Sequence, residues 1–285
     1  MLSVILSSVA ERIPVYDDHI HMSPSGRNID AIKEFESAGG TGFTLVTLPY
    51  EEVHVSNSDD LLRSFNITLS MADLVRERTT LEVNVAVGPY PVLLLPLAER
   101  FGIAEAEKMM MRGMEEAAKI VASGKANAIG EIGKPHFDVP EEIMAASDRI
   151  LVHGMELASE IDCPVIIHSA SSPELMIEFS QMAKTASLDP GMVIKHFSPP
   201  LVRDNENHGI MPSIPASRSA IREALGKGNR FMLETDYIDD LKRPGTVMPV
   251  DTVPKRVLGL ISSGEMSAET AWKIGRDIPD RLFKR

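Results

Sequence analysis

Short runs rich in Val, Ile and other apolar residues recur along the chain, separated by longer stretches in which apolar positions return every three or four residues. The first pattern predicts buried strands and the second amphipathic helices, and their regular alternation predicts βα units around a parallel sheet. Strands are expected over residues 15–21, 42–48, 82–88, 126–132, 163–168, 191–196, 209–214 and 230–236. Helices are expected over 28–38, 59–79, 103–122, 140–161, 173–186 and 217–225, with two more, 253–262 and 268–283, after the last strand. Ser171, Ser172, Pro173 and Glu174 combine a capping box with proline at a first helical position, and Ser267 can cap the last helix. Residues 90–96 and 199–215 read as elaborated loops.

No Pro/Gly/Ser-rich linker, low-complexity tract or composition shift interrupts this alternation, so residues 1–285 are expected to form one domain. Eight strand-helix units at this length match a single-domain α/β fold, the (β/α)8 TIM barrel. The doubly wound open sheet is the alternative, but no glycine-rich dinucleotide loop or Walker loop follows the first strand.

The formal charge of -12, from 41 acidic against 29 basic residues, is the reverse of the footprint of a protein that coats nucleic acid or an anionic membrane. Extended duplex DNA and membranes are therefore not expected partners, and any anionic substrate must be held locally. The single cysteine, Cys163, excludes an internal disulfide and multi-thiolate metal sites. The apolar opening, residues 1–10, lacks a basic leader and is too short to span a bilayer. A soluble protein of the cytoplasm is expected.

Polar, metal-capable residues stand where the apolar runs end. His19 and His21 close the first run, Glu131 the fourth, His168 the fifth, His196 the sixth and Asp236 the eighth. Residues i and i+2 of a strand project from one face roughly 6 to 7 Å apart, so His19 and His21 can reach one ion. Taken singly, each has a bland reading: a buried histidine bonded to backbone, or a glutamate paired with an arginine. In a barrel, however, all five strand ends surround one mouth, and burying four imidazoles with two carboxylates is costly unless a cation compensates. Imidazole and carboxylate donors without thiolate suit two divalent metal ions, Zn first, with Mn, Co, Ni or Mg as alternatives. Six ligands exceed the needs of one tetrahedral zinc, and a carboxylate bridging two ions follows naturally. Lys134, His136, Lys195 and Arg203 are the candidates for contacting an anionic substrate; His54 and His208 are weaker, and His153, on an expected helix, reads as structural.

With these residues assembled, the sequence resembles the TatD-like branch of the metal-dependent amidohydrolase superfamily. The matching elements are Asp18-His19-Ile20-His21, Gly130-Glu131-Ile132-Gly133, His168-Ser169, His196-Phe197 and Glu234-Thr235-Asp236, with Ile278-Pro279-Asp280-Arg281-Leu282-Phe283 as the ending, in family order across nearly the whole chain. The resemblance implies that His19, His21 and Asp236 hold one ion, that His168 and His196 hold the other, and that Glu131 bridges them. It also implies phosphodiester hydrolysis, commonly of DNA. The chain departs from the usual Gly-Glu-Ile-Gly-Leu-Asp in having Lys134-Pro135-His136, and its stretch 196–215 is unusual, so substrate contacts are expected to differ. In the related phosphotriesterase-like branch a carboxylated lysine bridges from strand four; here Glu131 holds that place.

The expected chemistry is hydrolysis by metal-activated water, with Asp236 as proton acceptor and Glu131 as bridge. The leading reading is a TatD-like phosphodiesterase or deoxyribonuclease acting on a small-molecule or short nucleic-acid phosphodiester. A lactonase or cyclic amidohydrolase using the same metal centre is the alternative, and a non-catalytic metal- or partner-binding barrel is the second.

Overall fold

The computed structural model describes residues 13–284; the apolar opening, residues 1–10, lies outside them. All eight expected strands form: β1 (Tyr16–His21), β2 (Gly42–Val46), β3 (Glu82–Val87), β4 (Ala128–Gly133), β5 (Val165–His168), β6 (Val193–Lys195), β7 (Met211–Pro215) and β8 (Met232–Glu234). A ninth, β9 (Tyr237–Ile238), is the continuation of β8 after a two-residue break. Every pairing is parallel, and the order β8-β7-β6-β5-β4-β3-β2-β1-β9 brings the eighth strand position round to the first. β8 pairs with β7, and β9 pairs with β1 through Ile20 opposite Tyr237 and His21 opposite Ile238. The fold is a TIM barrel.

Two layers of apolar contact hold it. One residue from each of β1 to β8 (Tyr16, Val46, Ala86, Ala128, Ile166, Ile194, Met211, Met232) fills the barrel together with Ile278, Leu282 and Phe283 of the last helix. The surrounding helices bury their apolar stripes against the outside of the strands, as Phe35, Phe65, Met114, Leu151 and Phe179 do.

The helices differ from expectation where proline misleads. Residues 90–96 contain a 3-10 turn, Pro91–Leu93, running into a helix, Leu94–Phe101. Pro91 and Pro96 both stand in first turns, where no backbone N–H is needed, so they start helical structure here instead of breaking it. Ser172 caps its helix through Leu175 N at 3.3 Å, but Glu174 falls at the second helical position and the expected capping box does not form. The final helical run is divided by a π-helical segment, Lys273–Asp277. Gly275 lies there because a Cβ would come within 2.3 Å of the Pro14 carbonyl oxygen. No helix among the described residues is long and apolar enough to cross a membrane.

Candidate metal centre

Two irregularities in the sheet shape the centre. The β1–β2 register shifts between Asp17 and Ile20, around His19, and the β4–β5 register shifts between Gly130 and Ile132, around Glu131. Such bulges re-aim a side chain that regular pleating would send elsewhere. The glycines flanking Glu131 have their own reasons. A Cβ on Gly130 would meet Ile166 Cβ at 2.7 Å, and Gly133 combines φ of 138° with a carbonyl, that of His168, where its Cβ would stand. Asp236 sits in the break between β8 and β9 with φ of 49°.

The six side chains expected from the sequence converge. His19 and His21 project together, as strand geometry requires, with their Nε2 atoms 3.1 Å apart. His21 Nδ1 lies 3.0 Å from the Val46 carbonyl, to which it can donate, leaving the Nε2 lone pair turned inward. The His19 and His196 rings stack with centroids 3.9 Å apart, and His168 stacks on His196 at 5.7 Å.

Glu131 stands among them and divides them. Its Oε1 contacts His168 Nδ1 and lies 3.4 Å from His196 Nε2; its Oε2 lies 3.9 Å from both His19 Nε2 and His21 Nε2. Asp236 Oδ1 is 3.6 Å from His21 Nε2 and 4.0 Å from His19 Nε2. Three overlapping donor sets result, each compact enough to hold an ion: His19, His196 and Asp236; His19, His21 and Glu131; Glu131, His168 and His196.

The electrostatics fit a cation. Burial opposes ionisation of Glu131, yet the neighbouring His168, through its charge and hydrogen bond, and the charge of His196 hold it well below the usual carboxylate range. Burial, reinforced by His196 and His21, pushes His19 well below its ordinary value, so it is a neutral imidazole with a lone pair to offer. Its Nδ1 is buried without a hydrogen-bond partner. Four imidazole rings facing two carboxylates with nitrogens this close are what nitrogen and oxygen donors adopt around divalent ions.

The four expected substrate contacts fare differently. His136 reaches the centre: its Nδ1 lies 2.8 Å from His168 Nε2. Lys134 is buried and pairs with Asp148 and Glu178, tying the end of β4 to two outer helices (Glu141–Ile161 and Pro173–Thr185). Lys195 is buried, on the face of β6 opposite Ile194 and His196, where Nζ donates to the carbonyls of Ser169 and His196 and burial pushes its pKa down to about 8. Arg203 caps the short helix Asp204–Asn207 on the exposed surface. None of the four lines the cavity beside the centre. Ion pairs hold the Lys134 side chain and backbone carbonyls hold that of Lys195, whereas Arg203 contributes its backbone N to the helix start.

Two residues that carried no role in the sequence belong to the surroundings. Glu234 Oε1 lies 3.0 Å from His196 Nδ1 and accepts from Phe197 N at 2.9 Å. Tyr90 presents its ring edge-on to His168 at 5.1 Å and lines the cavity. Glu234 stood two residues before Asp236 in a conspicuous motif; Tyr90 had no signal beyond following Gly88-Pro89 at the end of β3. The cavity measures about 560 Å³. Leu48, Pro49, Tyr50, Ile238 and Leu241 form its apolar wall, and its two cations, Lys242 and Arg243, are paired with Glu51 and Asp240, each at 2.8 Å.

Known proteins share this architecture. The chain is 35% identical over 279 residues to an uncharacterized protein of Methanocaldococcus jannaschii, covering 96% of this chain and 97% of that one. Among solved structures, a TatD homolog from Escherichia coli superposes with a TM-score of 0.66 at 18% identity, over 95% of this chain and 98% of the other. The TatD-like protein from Archaeoglobus fulgidus gives 0.64 at 18% identity, over 95% and 100%. An organophosphorus hydrolase from Deinococcus radiodurans gives 0.60 at 16% identity, over 95% and 93%; these structural likenesses are likenesses of fold. The sequence pattern described as TatD related DNase matches residues 16–284, and the chain belongs to that family of metal-dependent hydrolases.

Proposed function

We propose that this protein hydrolyses phosphodiester bonds in short or single-stranded DNA, with His19, His21, Glu131, His168, His196 and Asp236 holding two divalent ions, zinc foremost. The observation that carries this reading is the division made by Glu131: one carboxylate oxygen faces His168 and His196, the other faces His19 and His21. A bridging carboxylate has this form. Two divalent ions held there would supply a water-derived nucleophile at neutral pH and compensate charge on the phosphoryl oxygens.

The protein's own groups do the rest. Asp236 is the proton acceptor, since its Oδ1 lies beside the His19 and His21 nitrogens and its side chain is partly open to the cavity. His136 and Glu234 orient His168 and His196 through the ring nitrogens directed away from Glu131. Tyr90 and the apolar wall restrict water beside the centre. A cytoplasmic setting accords with the lone, buried thiol of Cys163.

The paired state of Lys242 and Arg243 and the apolar wall favour a second reading, a small and weakly charged ester or lactone as substrate. Elemental analysis of purified protein, followed by a metal-supplemented screen over short DNA, simple phosphodiesters and lactones, tests both. Two metal equivalents and metal-dependent DNA cleavage, abolished in a folded Asp236→Asn variant, are expected. Turnover of lactones alone would overturn the nuclease reading in favour of the second.

A further inference from the structure

A second cavity, of about 720 Å³, opens on the same end of the barrel, between the segment following β7 and the segment entering the helix Thr252–Ser262. It adjoins the metal centre through the backbone. Ala216, in its wall, donates to the Glu234 carbonyl at 2.9 Å, and the Glu234 side chain meets His196. Its lining is unlike that of the first cavity, with four cations, Arg218, Arg222, Lys255 and Arg256, against one carboxylate, Asp251.

Two of those cations are already engaged: Arg222 grips Glu265 through two bonds of 2.6 and 3.0 Å, and Lys255 pairs with Asp251. The other two are available. Arg218 is exposed and feels Glu265 only at a distance, and Arg256 has its Nε buried with no hydrogen-bond partner; neither forms an ion pair among the described residues. The first turns of two helices, Arg218–Lys227 and Thr252–Ser262, border the same space. Helix N-termini present unpaired N–H groups and the positive end of the helix dipole, which add to the field of the two arginines. In (β/α)8 barrels, the loops after strands seven and eight with a neighbouring helix N-terminus form a recurrent phosphate-binding position. The cations of the first cavity are spent on its own acids, so the positive field available to a second phosphate lies here.

We infer that this cavity is an anion subsite, centred on Arg218 and Arg256, that holds a backbone phosphate of the strand whose scissile bond lies at the metal centre. The inference rests on the phosphodiesterase reading. It also accommodates the acidic net charge: two free arginines in one pocket grip a short strand without the broad basic face that duplex binding needs.

The test uses metal-loaded protein, a fluorescent oligothymidylate with phosphorothioate linkages, and anisotropy titrations at several salt concentrations. Arg218→Glu is expected to weaken binding about tenfold, since a charge-assisted contact becomes a repulsion. In Arg218→Ala/Arg256→Gln the slope of log affinity against log salt should fall by about 1.4, about 0.7 for each phosphate-neutralising cation removed. Turnover of bis(p-nitrophenyl) phosphate, too small to span both cavities, should be unchanged in both variants. Unaltered affinity and salt slope, or a p-nitrophenyl ester rate that falls in step with oligonucleotide affinity, would overturn the subsite. Inorganic phosphate binding that depends on Arg218, with no oligonucleotide binding, would overturn the nucleic-acid assignment. Arginine-dependent oligonucleotide binding without cleavage by wild type would uphold the subsite while the nuclease reading failed.

Discussion

His136 Nδ1 and His168 Nε2 lie 2.8 Å apart, and the opposite nitrogen of His168 faces Glu131, so the His168 ring is held between the two. Burial and the neighbouring His168 push the His136 pKa down, leaving it a neutral acceptor for the His168 Nε2 proton. With an ion bound, that bond would hold the tautomer whose Nδ1 lone pair points into the centre, in place of the hydrogen bond Nδ1 gives Glu131 here. His136→Ala should weaken metal binding about tenfold, measured by chelator competition, whereas His136→Gln, which retains an acceptor, should restore part of the loss. Equal affinity in all three proteins would remove His136 from this role.

Replacing Glu131 by glutamine keeps its shape but makes one of the two oxygens a donor. Neither pair of histidines can then share it as before, and the purified Glu131→Gln variant should retain about one metal equivalent instead of two by elemental analysis. Two full equivalents would refute bridging.

Asp17 closes the barrel seam, because its Oδ1 accepts from both His19 N and Thr235 N at 3.1 Å. Burial raises its pKa to about 8, so it is largely protonated at neutral pH and serves as a neutral acceptor. Asp17→Asn should therefore be tolerated. Asp17→Ala strands two buried N–H groups and should cost on the order of 2 to 4 kcal/mol in denaturant titrations. Comparable losses in both variants would show that the carboxyl, and not the acceptor, matters.

Cys163 is buried, and burial pushes its thiol up to about 12. A thiol whose folded pKa lies above its unfolded value contributes stability that is complete below the unfolded pKa, near 9, and is lost as pH rises from there towards 12. Thermal melts should show that alkaline loss reduced in Cys163→Ala. The native thiol should also resist a disulfide reagent at pH 8 until the protein is unfolded; rapid labelling of the native state would contradict the burial.

Much of this protein was legible before any coordinates. Apolar runs of four to eight residues alternating with helical periodicity specify parallel βα units, because a strand buried on both faces must be apolar throughout and its crossover helix must show one apolar stripe. That repeat leaves few closed architectures, and metal-capable residues ending five of the eight runs mark the carboxyl ends of those strands. His19, His21, Glu131, His168, His196 and Asp236 were therefore readable as one set, although the five segments that carry them are well separated in the sequence. Side-chain direction was not readable. Lys134 and Lys195 have the chemistry of anion contacts, yet ion pairs with Asp148 and Glu178 hold the first and the carbonyls of Ser169 and His196 hold the second, and most of those partners are set only when distant segments pack. The division of Glu131 between two histidine pairs belongs to the same class, since it depends on a one-residue register shift in β4 that periodicity cannot register. So does the basic cavity at Arg218 and Arg256, whose arginines are ordinary surface charges until two helix N-termini meet beside them. Local composition determined which elements form and where they end; the angles and partners of individual side chains came from packing among segments far apart in the chain.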